Sequence, residues 1–470
     1  MSDYDLIVIG GGEAGISAAL RATALGAKVL IVNREPELGG GCVQTGTLPS
    51  KTLENAARFL ENLKQGKRYG VPVVENARAD YKTILESRHK TTLCEIGVLA
   101  TVMRKNAIAT LVGAASFKDP RRLEVRLPDG EARLYDAPRT VIATGSRPVA
   151  LPHLPFDGRT ILSPDELTAM DAVPARFLIV GAGVIGCEMA FIFRSLGSEV
   201  TVVEKADRAL LGQDHEVGAL ITREFKKRAI RLVLSTGVER VEPAAGAPPH
   251  GAVRAVLTNG EALEADRVMV GVGRRPNTEE LNLAAAGITP GPRGEIQVDD
   301  RMRTSVPGIY AAGDVLARFM LSSMAVVEAR IAAENAMGLE TTMDYSSAPW
   351  GIYTDPEVGS VGVTEEWAKA GGRDIVIGRC GYNDLVRSCL DANITGFFKL
   401  IFDGPTHRLI GAHVAGQDAS EIVHFAALAV KLGARAEDLK DMVYNHPTVS
   451  EGFGKAAVDA LKQFEKGKPV

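Results

Sequence analysis

The chain has 470 residues, enough for about three domains that each bury a core, so a mini-protein or a single small module is excluded. Its 54 Lys and Arg residues against 58 Asp and Glu residues give a net charge of −4, which provides no global field for binding nucleic acid or an acidic membrane. Every apolar run is interrupted before the roughly 18 residues that a membrane-spanning helix needs, so no membrane partner is expected.

The start of the chain and its cysteines predict a location. The first residues enter a strand-like run without a basic segment, a long apolar segment or a cleavage site, so export is not expected. The five cysteines are few, odd in number and scattered, which is typical of a reducing compartment rather than of a disulfide-stapled protein. We therefore expect the protein to be cytoplasmic.

The first organised segment is a βαβ unit. An apolar strand over residues 5–9 leads into Gly10-Gly-Gly12-Glu-Ala-Gly15, and an Ala-rich helical stretch over residues 16–25 precedes a second strand over residues 28–32. Glycines at this spacing let backbone N–H groups approach a pyrophosphate, and the helix N-terminus adds partial positive charge. The segment therefore predicts a dinucleotide-binding fold.

The same order of elements returns in the middle of the chain. A strand over residues 177–180 leads into Gly181-Ala-Gly183-Val-Ile-Gly186, a helical stretch to residue 196 and a strand over residues 199–204. One glycine fingerprint is a weak signal, because glycine-rich turns are common. Two copies, each between a strand and a helix, predict two dinucleotide-binding folds.

The residue that closes the second strand of each unit has a predictable role. A carboxylate at this position accepts both hydroxyls of an adenosine ribose, as Glu204 can, whereas Asn33 offers a neutral amide. An acid here favours NAD, because it repels the 2′-phosphate of NADP. Lys205 and Arg208 are either surface charges or groups that soften this repulsion.

Helix-breaking clusters and a change of pattern predict the domain boundaries. Gly- and Pro-containing clusters at residues 145–155 and 271–276 flank the second unit. After Gly338, strand-like runs over residues 396–402 and 409–414 precede helical runs over 420–432 and 452–461, without a glycine fingerprint. The predicted domains are residues 1–148 with 274–345, residues 149–273, and residues 346–470.

Together these motifs resemble a known family. The two glycine fingerprints, Ala143-Thr-Gly-Ser146, Val272-Gly-Arg-Arg-Pro-Asn277 and Thr304 through Ile309-Tyr-Ala-Ala-Gly-Asp314 are similar, in order, to the FAD-dependent pyridine nucleotide-disulfide oxidoreductases, which include dihydrolipoamide dehydrogenase and mercuric reductase. The resemblance implies an α/β protein with two Rossmann-like domains and an α+β C-terminal domain that forms a homodimer. It also implies FAD in the first unit and NAD(H) or NADP(H), as substrate, in the second.

The resemblance also implies the residues of the two sites. For FAD they are Gly10, Gly12, Gly15, Asn33, Gly41, Cys42, Lys51, Thr144, Gly145, Arg274, Asp314, Met320, Leu321 and Ser322. For the nicotinamide nucleotide they are Gly181, Gly183, Ile185, Gly186, Glu188, Glu204 and Gly273. No Cys/His cluster has the spacing of metal ligands, so no metal is expected.

One departure from the family pattern concerns its redox-active disulfide. Disulfide reductases carry Cys-x4-Cys after the first unit, but here Cys42 is followed by Thr47, and a hydroxyl cannot form a disulfide. Cys42 is then either a small residue packed near the flavin or a catalytic thiol. The stretch from Cys42 to Lys51 resembles the soluble pyridine nucleotide transhydrogenases, which move a hydride between NADPH and NAD through FAD alone.

Two pairs of side chains are the remaining candidates for catalysis. The resemblance places Lys51 beside the flavin and Glu188 after the second fingerprint, so the pair could stabilise hydride transfer. His446 and Glu451 match the His-Pro-Thr-x-x-Glu motif of the disulfide reductases, in which the His is an acid/base, whereas a transhydrogenase is expected to have Tyr.

These observations favour NAD(P) transhydrogenation, and two alternatives remain open. The first is an NAD(P)H-dependent reductase of a quinone, a metal ion or an unusual disulfide that uses Cys42 and His446. The second is a flavin-bound structural subunit without turnover. The retention of Lys51, Glu188 and Asp314 argues against that last alternative, because a non-catalytic chain does not need them.

Overall fold

The computed structural model describes residues 4–72, 77–136, 138–248 and 250–466, except the side chain at position 169. The chain divides into two compact units. The first comprises residues 1–59, 76–172 and 272–343, and the second comprises residues 60–75, 173–271 and 344–470. The three-domain division made from sequence remains a prediction.

The elements are numbered in chain order. The strands are β1 Leu6–Ile9, β2 Val29–Asn33, β3 Ala109–Val112, β4 Ala114–Asp119, β5 Arg122–Arg126, β6 Ala132–Asp136, β7 Thr140–Ile142, β8 Ser146–Pro148, β9 Ile161–Leu162, β10 Arg176–Val180, β11 Glu199–Val203, β12 Arg231–Val233, β13 Val238–Pro243, β14 Val253–Leu257, β15 Ala262–Ala265, β16 Arg267–Val270, β17 Arg274–Pro276, β18 Ile309–Ala311, β19 Pro349–Ile352, β20 Val358–Gly362, β21 Ile375–Gly381, β22 Phe397–Asp403 and β23 Leu409–Ala415. The α-helices are α1 Glu13–Ala24, α2 Gly40–Gln44, α3 Thr47–Lys64, α4 Tyr81–Lys105, α5 Val184–Leu196, α6 His215–Lys227, α7 Ser322–Ala336, α8 Glu365–Ala370, α9 Val386–Asp391, α10 Ala419–Leu432, α11 Ala436–Asp441 and α12 Glu451–Lys466.

The first unit is built on a parallel sheet. Its strand order is β18-β7-β1-β2-β3, and β1 pairs with β2 and β7. Every residue of β1 and β7 is buried, as expected for strands covered on both faces. Helix α1 packs against α7 beside this sheet, and a second, antiparallel sheet consists of β4, β5 and β6.

The second unit contains the other glycine fingerprint and an antiparallel sheet. Strands β12, β11, β10 and β16 are neighbours in that order, and the pairs among them are parallel. The antiparallel sheet has the order β19-β20-β23-β22-β21, with α10 packed on β20 and α12 packed on β21. This second sheet with its helices forms the C-terminal α+β region predicted from the sequence.

The predicted βαβ elements are confirmed, with differences at their ends. The largest difference is the start of α1, which is Glu13 rather than residue 16. The helix already includes Gly15 because its missing side chain lets the first turn pack against the preceding loop: a Cβ on Gly15 would lie 1.8 Å from the Gly10 carbonyl oxygen. Among the described residues, no helix is long and apolar enough to cross a membrane.

Candidate functional site

The first glycine loop joins the carboxyl end of β1 to α1. Gly10 has φ of +109°, and a Cβ on it would meet the Ala143 carbonyl oxygen at 2.2 Å, so this position requires glycine. Gly12 is the N-cap of α1, and no side chain caps the helix. A Cβ on Gly12 would find only the Cα of Gly40, at 3.8 Å, so the space before the helix is clear.

The second loop repeats this geometry between β10 and α5. A Cβ on Gly186 would lie 1.9 Å from the Gly181 carbonyl oxygen, and Gly181 has φ of +106°. Gly183 is an uncapped N-cap, and a Cβ there would meet nothing within 4 Å. Uncapped helix N-termini with clear space in front are suited to phosphate, so the residues at both loops fit a dinucleotide.

The residues that end β2 and β11 support the glycine loops. The Asn33 Oδ1 accepts a hydrogen bond from the Gly11 N–H at 2.8 Å, and the Glu204 Oε2 accepts one from the Ala182 N–H at 2.7 Å. The two contacts are equivalent in the two units. Sequence reasoning assigned Asn33 and Glu204 only to ribose binding, and the structure adds that both orient the loop that would hold the pyrophosphate.

The amide of Asn33 makes further contacts of its own. Its Nδ2 donates to the carbonyl oxygens of Glu35 at 2.7 Å and Glu37 at 3.0 Å, so both N–H donors are engaged. Glu204 is different, because each of its two oxygens accepts one backbone N–H and retains lone pairs for ribose hydroxyls.

The basic residues after β11 are held within their own unit. The Arg208 Nη2 donates to the carbonyl oxygen of Leu211 at 3.0 Å. The Lys205 side chain lies against Gly237, where a Cβ would come within 3.0 Å of the Lys205 Cε. These contacts favour the interpretation of both residues as ordinary surface groups of the domain.

A polar network surrounds Asp314 in the first unit. The Ser146 Oγ donates to the Asp314 Oδ2 at 2.6 Å and accepts from the Arg274 Nε at 2.8 Å. The Arg274 Nη1 in turn donates to the Asp165 Oδ1 at 2.9 Å. Sequence reasoning missed Ser146 and Asp165 as site residues. Ser146 stands in a quoted motif, but nothing in the local sequence marks Asp165.

The backbone before Asp314 is held by a buried acid. The Glu328 Oε2 accepts from the Gly313 N–H at 2.8 Å, and Glu328 is 3% exposed. Gly313 has φ of +82°, a conformation that favours glycine. Met320 and Leu321 follow in the loop, and Leu321 is the N-cap of α7. Glu328 therefore positions Asp314, and no sequence spacing indicated it.

Several other predicted FAD residues lie around the same loops. Thr144 and Asn277 are joined twice, since the Thr144 Oγ1 donates to the Asn277 carbonyl oxygen at 2.7 Å and the Asn277 Nδ2 donates to the Thr144 carbonyl oxygen at 3.0 Å. Gly145 has φ of +68°, and Gly273, predicted to contact the nicotinamide nucleotide, has φ of +128°. A Cβ on Gly41 would meet the Arg274 Nη2 at 3.9 Å.

Cys42 is a half-buried free thiol on α2. The Ser322 Oγ lies 3.6 Å from its Sγ and donates to it. Burial raises the pKa of Cys42 above its usual range, and the neighbouring hydroxyls of Ser322 and Thr47 oppose the rise.

Lys51 and Glu188 lie in different units. Lys51 is half-buried on α3, three residues before Glu54. Glu188 is buried on α5, one turn after Ile185, and its Oε1 accepts from the Tyr353 N–H at 2.9 Å. That hydrogen bond fixes the Glu188 carboxylate within the second unit. The pairing of Lys51 with Glu188 remains a prediction.

His446 and Glu451 form a hydrogen-bonded pair at the start of α12. The His446 Nδ1 lies 2.9 Å from the Glu451 Oε1, and the other carboxylate oxygen accepts from the Thr448 N–H at 3.0 Å. Burial favours the neutral acid, but these two hydrogen bonds bring the pKa of Glu451 below its usual value. A carboxylate beside Nδ1 places the ring proton there, so Nε2 is the acceptor of the neutral ring.

Among the residues that the structure describes, no three or more His, Cys, Asp and Glu side chains come together to hold a metal ion.

Comparisons with known proteins agree with this geometry. Residues 4–329 match the model of the family "Pyridine nucleotide-disulphide oxidoreductase", and residues 348–457 match its dimerisation domain. A dihydrolipoyl dehydrogenase of Thermus scotoductus is 36% identical, with 98% of each chain covered. A soluble pyridine nucleotide transhydrogenase of Mycobacterium bovis is 35% identical, with 99% of this chain and 100% of that one covered.

A solved structure is also similar. The crystal structure of LpdA from Mycobacterium tuberculosis has a TM-score of 0.89 and 26% sequence identity, with 96% of this chain and 99% of that chain covered. These matches confirm the predicted fold class. The chain therefore belongs to the pyridine nucleotide-disulphide oxidoreductase family, whose members are FAD-dependent NAD(P) oxidoreductases, and carries that family's dimerisation domain.

Proposed function

We propose that this enzyme transfers a hydride between two nicotinamide nucleotides through FAD, without a redox-active disulfide. The observation that supports the proposal is that Cys42 is a free thiol and that Thr47 stands where a disulfide reductase has its second cysteine. A dithiol relay needs a second sulfur that can bond to the first, and a hydroxyl cannot form a disulfide. The transhydrogenase of Mycobacterium bovis is named for this reaction.

The residues of the chain bind and orient the reactants. Bound FAD would supply the hydride carrier between the two nucleotides. The first turns of α1 and α5 would hold the two pyrophosphates with backbone N–H groups and the positive ends of the helix dipoles. Asp314, oriented by Ser146 at 2.6 Å, would bind the ribityl and phosphate region. Lys51 would stabilise negative charge at the reduced ring.

Both nucleotides would use the same site in turn, and we propose that NAD(H) binds there more tightly than NADP(H). Glu204 presents a carboxylate to the ribose, and it would repel a 2′-phosphate. Arg208 donates to the Leu211 carbonyl oxygen at 3.0 Å, and this engagement within its own domain supports the preference. We also propose that the protein is a homodimer, because the chain carries the family's dimerisation domain. We place it in the cytoplasm, because its five cysteines are free thiols, as is typical of a reducing compartment.

The test of the hydride proposal is an anaerobic titration of the purified holoenzyme with NADH. Because Thr47 replaces a thiol, we expect about two electrons per chain to bleach the flavin completely, without a long-wavelength thiolate-to-flavin band. NADP⁺ added afterwards should restore the oxidised spectrum. Uptake of about four electrons with such a band would show that a second thiol participates, and the proposal would be wrong. Repeating the titration with NADPH should give a higher Kd than with NADH.

The second candidate function is reduction of a quinone, a metal ion or an unusual disulfide by NAD(P)H. The 2.9 Å hydrogen bond between His446 and Glu451 favours it, because such a pair serves as an acid/base. The name of the Thermus scotoductus relative, dihydrolipoyl dehydrogenase, is consistent with a thiol or disulfide substrate.

The variant His446→Ala distinguishes the two functions. Hydride transfer between nucleotides needs no proton from an imidazole, so the first function predicts a loss of less than about threefold in either half-reaction. Reduction of the second class of acceptor predicts a loss of about 10²–10⁴-fold, confined to reoxidation by that acceptor. Stopped-flow measurement of both half-reactions gives the answer. A large loss in the oxidative step, together with poor NADH-to-NADP⁺ transfer in the unmodified enzyme, would establish the second function.

A further inference from the structure

The loop that follows β11 connects the acid predicted to bind ribose to a buried ion cluster. It runs from Glu204 to Asp214, the N-cap of α6, and we call residues 204–213 the ribose loop. The Leu210 N–H donates to the Ala182 carbonyl oxygen at 2.9 Å, and the Ala182 N–H donates to the Glu204 Oε2 at 2.7 Å. Ala182 belongs to the second glycine loop. The ribose loop and this glycine loop are therefore held together at two points.

The remainder of the ribose loop is closed by its own side chain and by α6. The Arg208 Nη2 donates to the carbonyl oxygens of Leu211 and Gln213, at 3.0 and 3.4 Å. A Cβ on Gly218, near the start of α6, would lie 2.6 Å from the Ala209 carbonyl oxygen, so the helix lies directly against the loop. A displacement of the start of α6 would consequently move the ribose loop.

A buried ammonium fastens the start of α6 to the C-terminal sheet. The Nζ of Lys399, on β22, donates to the Asp214 Oδ1 at 2.9 Å, and both side chains are buried. The other carboxylate oxygen accepts from the Glu365 N–H at 3.2 Å. The carboxylates of Glu216 and Glu365 also face the ammonium, at 2.9 and 2.6 Å. Asp214 is thus tied to β22 and to the start of α8 at the same time.

Helix capping does not account for the lysine. Asp214 caps α6 by accepting from the Glu216 N–H at 3.0 Å. The exposed Asp80 caps α4 in the same way, by accepting from the Lys82 N–H at 3.2 Å. Stability does not require a buried ion pair either, because replacing a whole pair by apolar residues is often neutral. What the pair adds is a directed bond between a strand of the sheet and the end of the ribose loop.

We propose that Lys399 is a positioning residue for the nicotinamide nucleotide. By holding Asp214, it fixes the ribose loop, and with it Glu204, against the second glycine loop. The C-terminal sheet then contributes to nucleotide affinity through the loop. The inference deepens the proposed function and rests on it for the placement of the nucleotide at this loop.

The test is an anaerobic stopped-flow titration of the Lys399→Met holoenzyme with NADH, followed by flavin absorbance. Without the tie the ribose loop can shift, so we expect the Kd for NADH to rise about tenfold. The limiting rate of flavin reduction at saturating NADH should stay within about twofold, because the loop serves the adenosine end of the nucleotide and not the reacting ring.

Asp214→Asn is the second variant. Its amide still caps α6 but carries no charge, so the bond from the Lys399 ammonium is weakened and the Kd for NADH should rise about fivefold. Flavin content and circular dichroism verify that each variant is folded. If Lys399→Met fails to fold, the rise in Asp214→Asn is the remaining requirement.

Glu365→Gln is the matched control. It removes one of the acids that face the Lys399 ammonium, but it leaves both partners of the Lys399–Asp214 bond and the Glu365 backbone N–H in place. Its Kd for NADH should therefore stay within about twofold of that of the unmodified enzyme. A rise in Glu365→Gln equal to that in Lys399→Met would show a general loosening of the cluster, and the inference would be wrong.

The results separate this inference from the proposed function. A Kd within about twofold of the unmodified value in Lys399→Met or in Asp214→Asn would overturn the role of Lys399, even if the flavin takes up about two electrons. An effect confined to the limiting rate would overturn it as well. Uptake of about four electrons by the unmodified enzyme would overturn the proposed function, whatever the Kd values of the variants are.

Discussion

The variant Gly12→Val is expected to fold normally and to retain less than about a tenth of the flavin. The backbone at Gly12, with φ of −82° and ψ of −172°, suits any residue, and a Cβ there approaches only Gly40 at 3.8 Å. The added side chain instead fills the space before α1. Loss of two hydrogen bonds to a phosphate costs roughly 3–6 kcal/mol, or about a hundredfold or more in Kd.

The same substitution in the second fingerprint is the matched control. Gly183→Val adds a side chain where no atom lies within 4 Å, so this variant should also fold. It should keep its full flavin content and need about a hundredfold more NADH to reach half-maximal flavin reduction. Absorbance of the purified proteins and stopped-flow titration measure both effects. Flavin retention by Gly12→Val, or flavin loss by Gly183→Val, would reverse the assignment of the two sites.

Gly15→Ala is a useful contrast within the first loop. Its Cβ would lie 1.8 Å from the Gly10 carbonyl oxygen, so the backbone must move to relieve the steric clash. We therefore expect this smaller substitution to destabilise the fold as well as flavin binding. Comparing Gly15→Ala with Gly12→Val therefore distinguishes a glycine that the packing of the loop requires from a glycine that the ligand requires.

The variant Lys399→Met is expected to destabilise the second unit by about 3–5 kcal/mol. Lys399 is 1% exposed on β22, and its Nζ lies 2.9 Å from Asp214, 2.9 Å from Glu216 and 2.6 Å from Glu365. Asp214 is fully buried, so removal of the ammonium leaves an uncompensated charge inside the protein. Urea unfolding followed by circular dichroism measures the change.

Lys369→Met is the matched control for this cluster. Lys369 also pairs with Glu365, at 2.5 Å, but its side chain is 64% exposed. An exposed i,i+4 pair contributes about 0.3–0.5 kcal/mol, so this variant should unfold almost as the unmodified protein does. Equal destabilisation by the two variants would contradict the importance of burial at Lys399.

The same cluster predicts how stability changes with pH. Burial favours the neutral acid at both Asp214 and Glu365. The nearby His413 and hydrogen bonds from Lys399 and the Glu216 N–H nevertheless bring the pKa of Asp214 below the ordinary 3.8. Hydrogen bonds from Lys369 and Lys399 bring the pKa of Glu365 below the ordinary 4.5. A carboxyl whose pKa is lowered in the folded state stabilises the protein above its unfolded pKa, and this stabilisation is lost as the pH falls through the folded pKa. The unmodified protein should therefore lose more stability on acidification below about pH 4 than Lys399→Met does.

The sequence by itself determined the two dinucleotide folds, the family and the missing thiol. The reason is that each signal is local. Gly10 and Gly15 are neighbours across a single turn, because a Cβ on Gly15 would lie 1.8 Å from the Gly10 carbonyl oxygen. Thr47 begins the helix that follows the one containing Cys42. Glu204 was also found from local spacing, because β10, α5 and β11 have lengths typical of a βαβ unit.

Only the tertiary structure decided which distant side chains support those local motifs. Ser146 reaches Asp314 and Arg274 across 168 and 128 residues, and Ser322 reaches Cys42 across 280. The buried Lys399 finds Asp214 across 185 residues, between a strand and a helix cap. Such pairs depend on which elements the fold brings together, because contacts at this separation leave no periodicity in the chain.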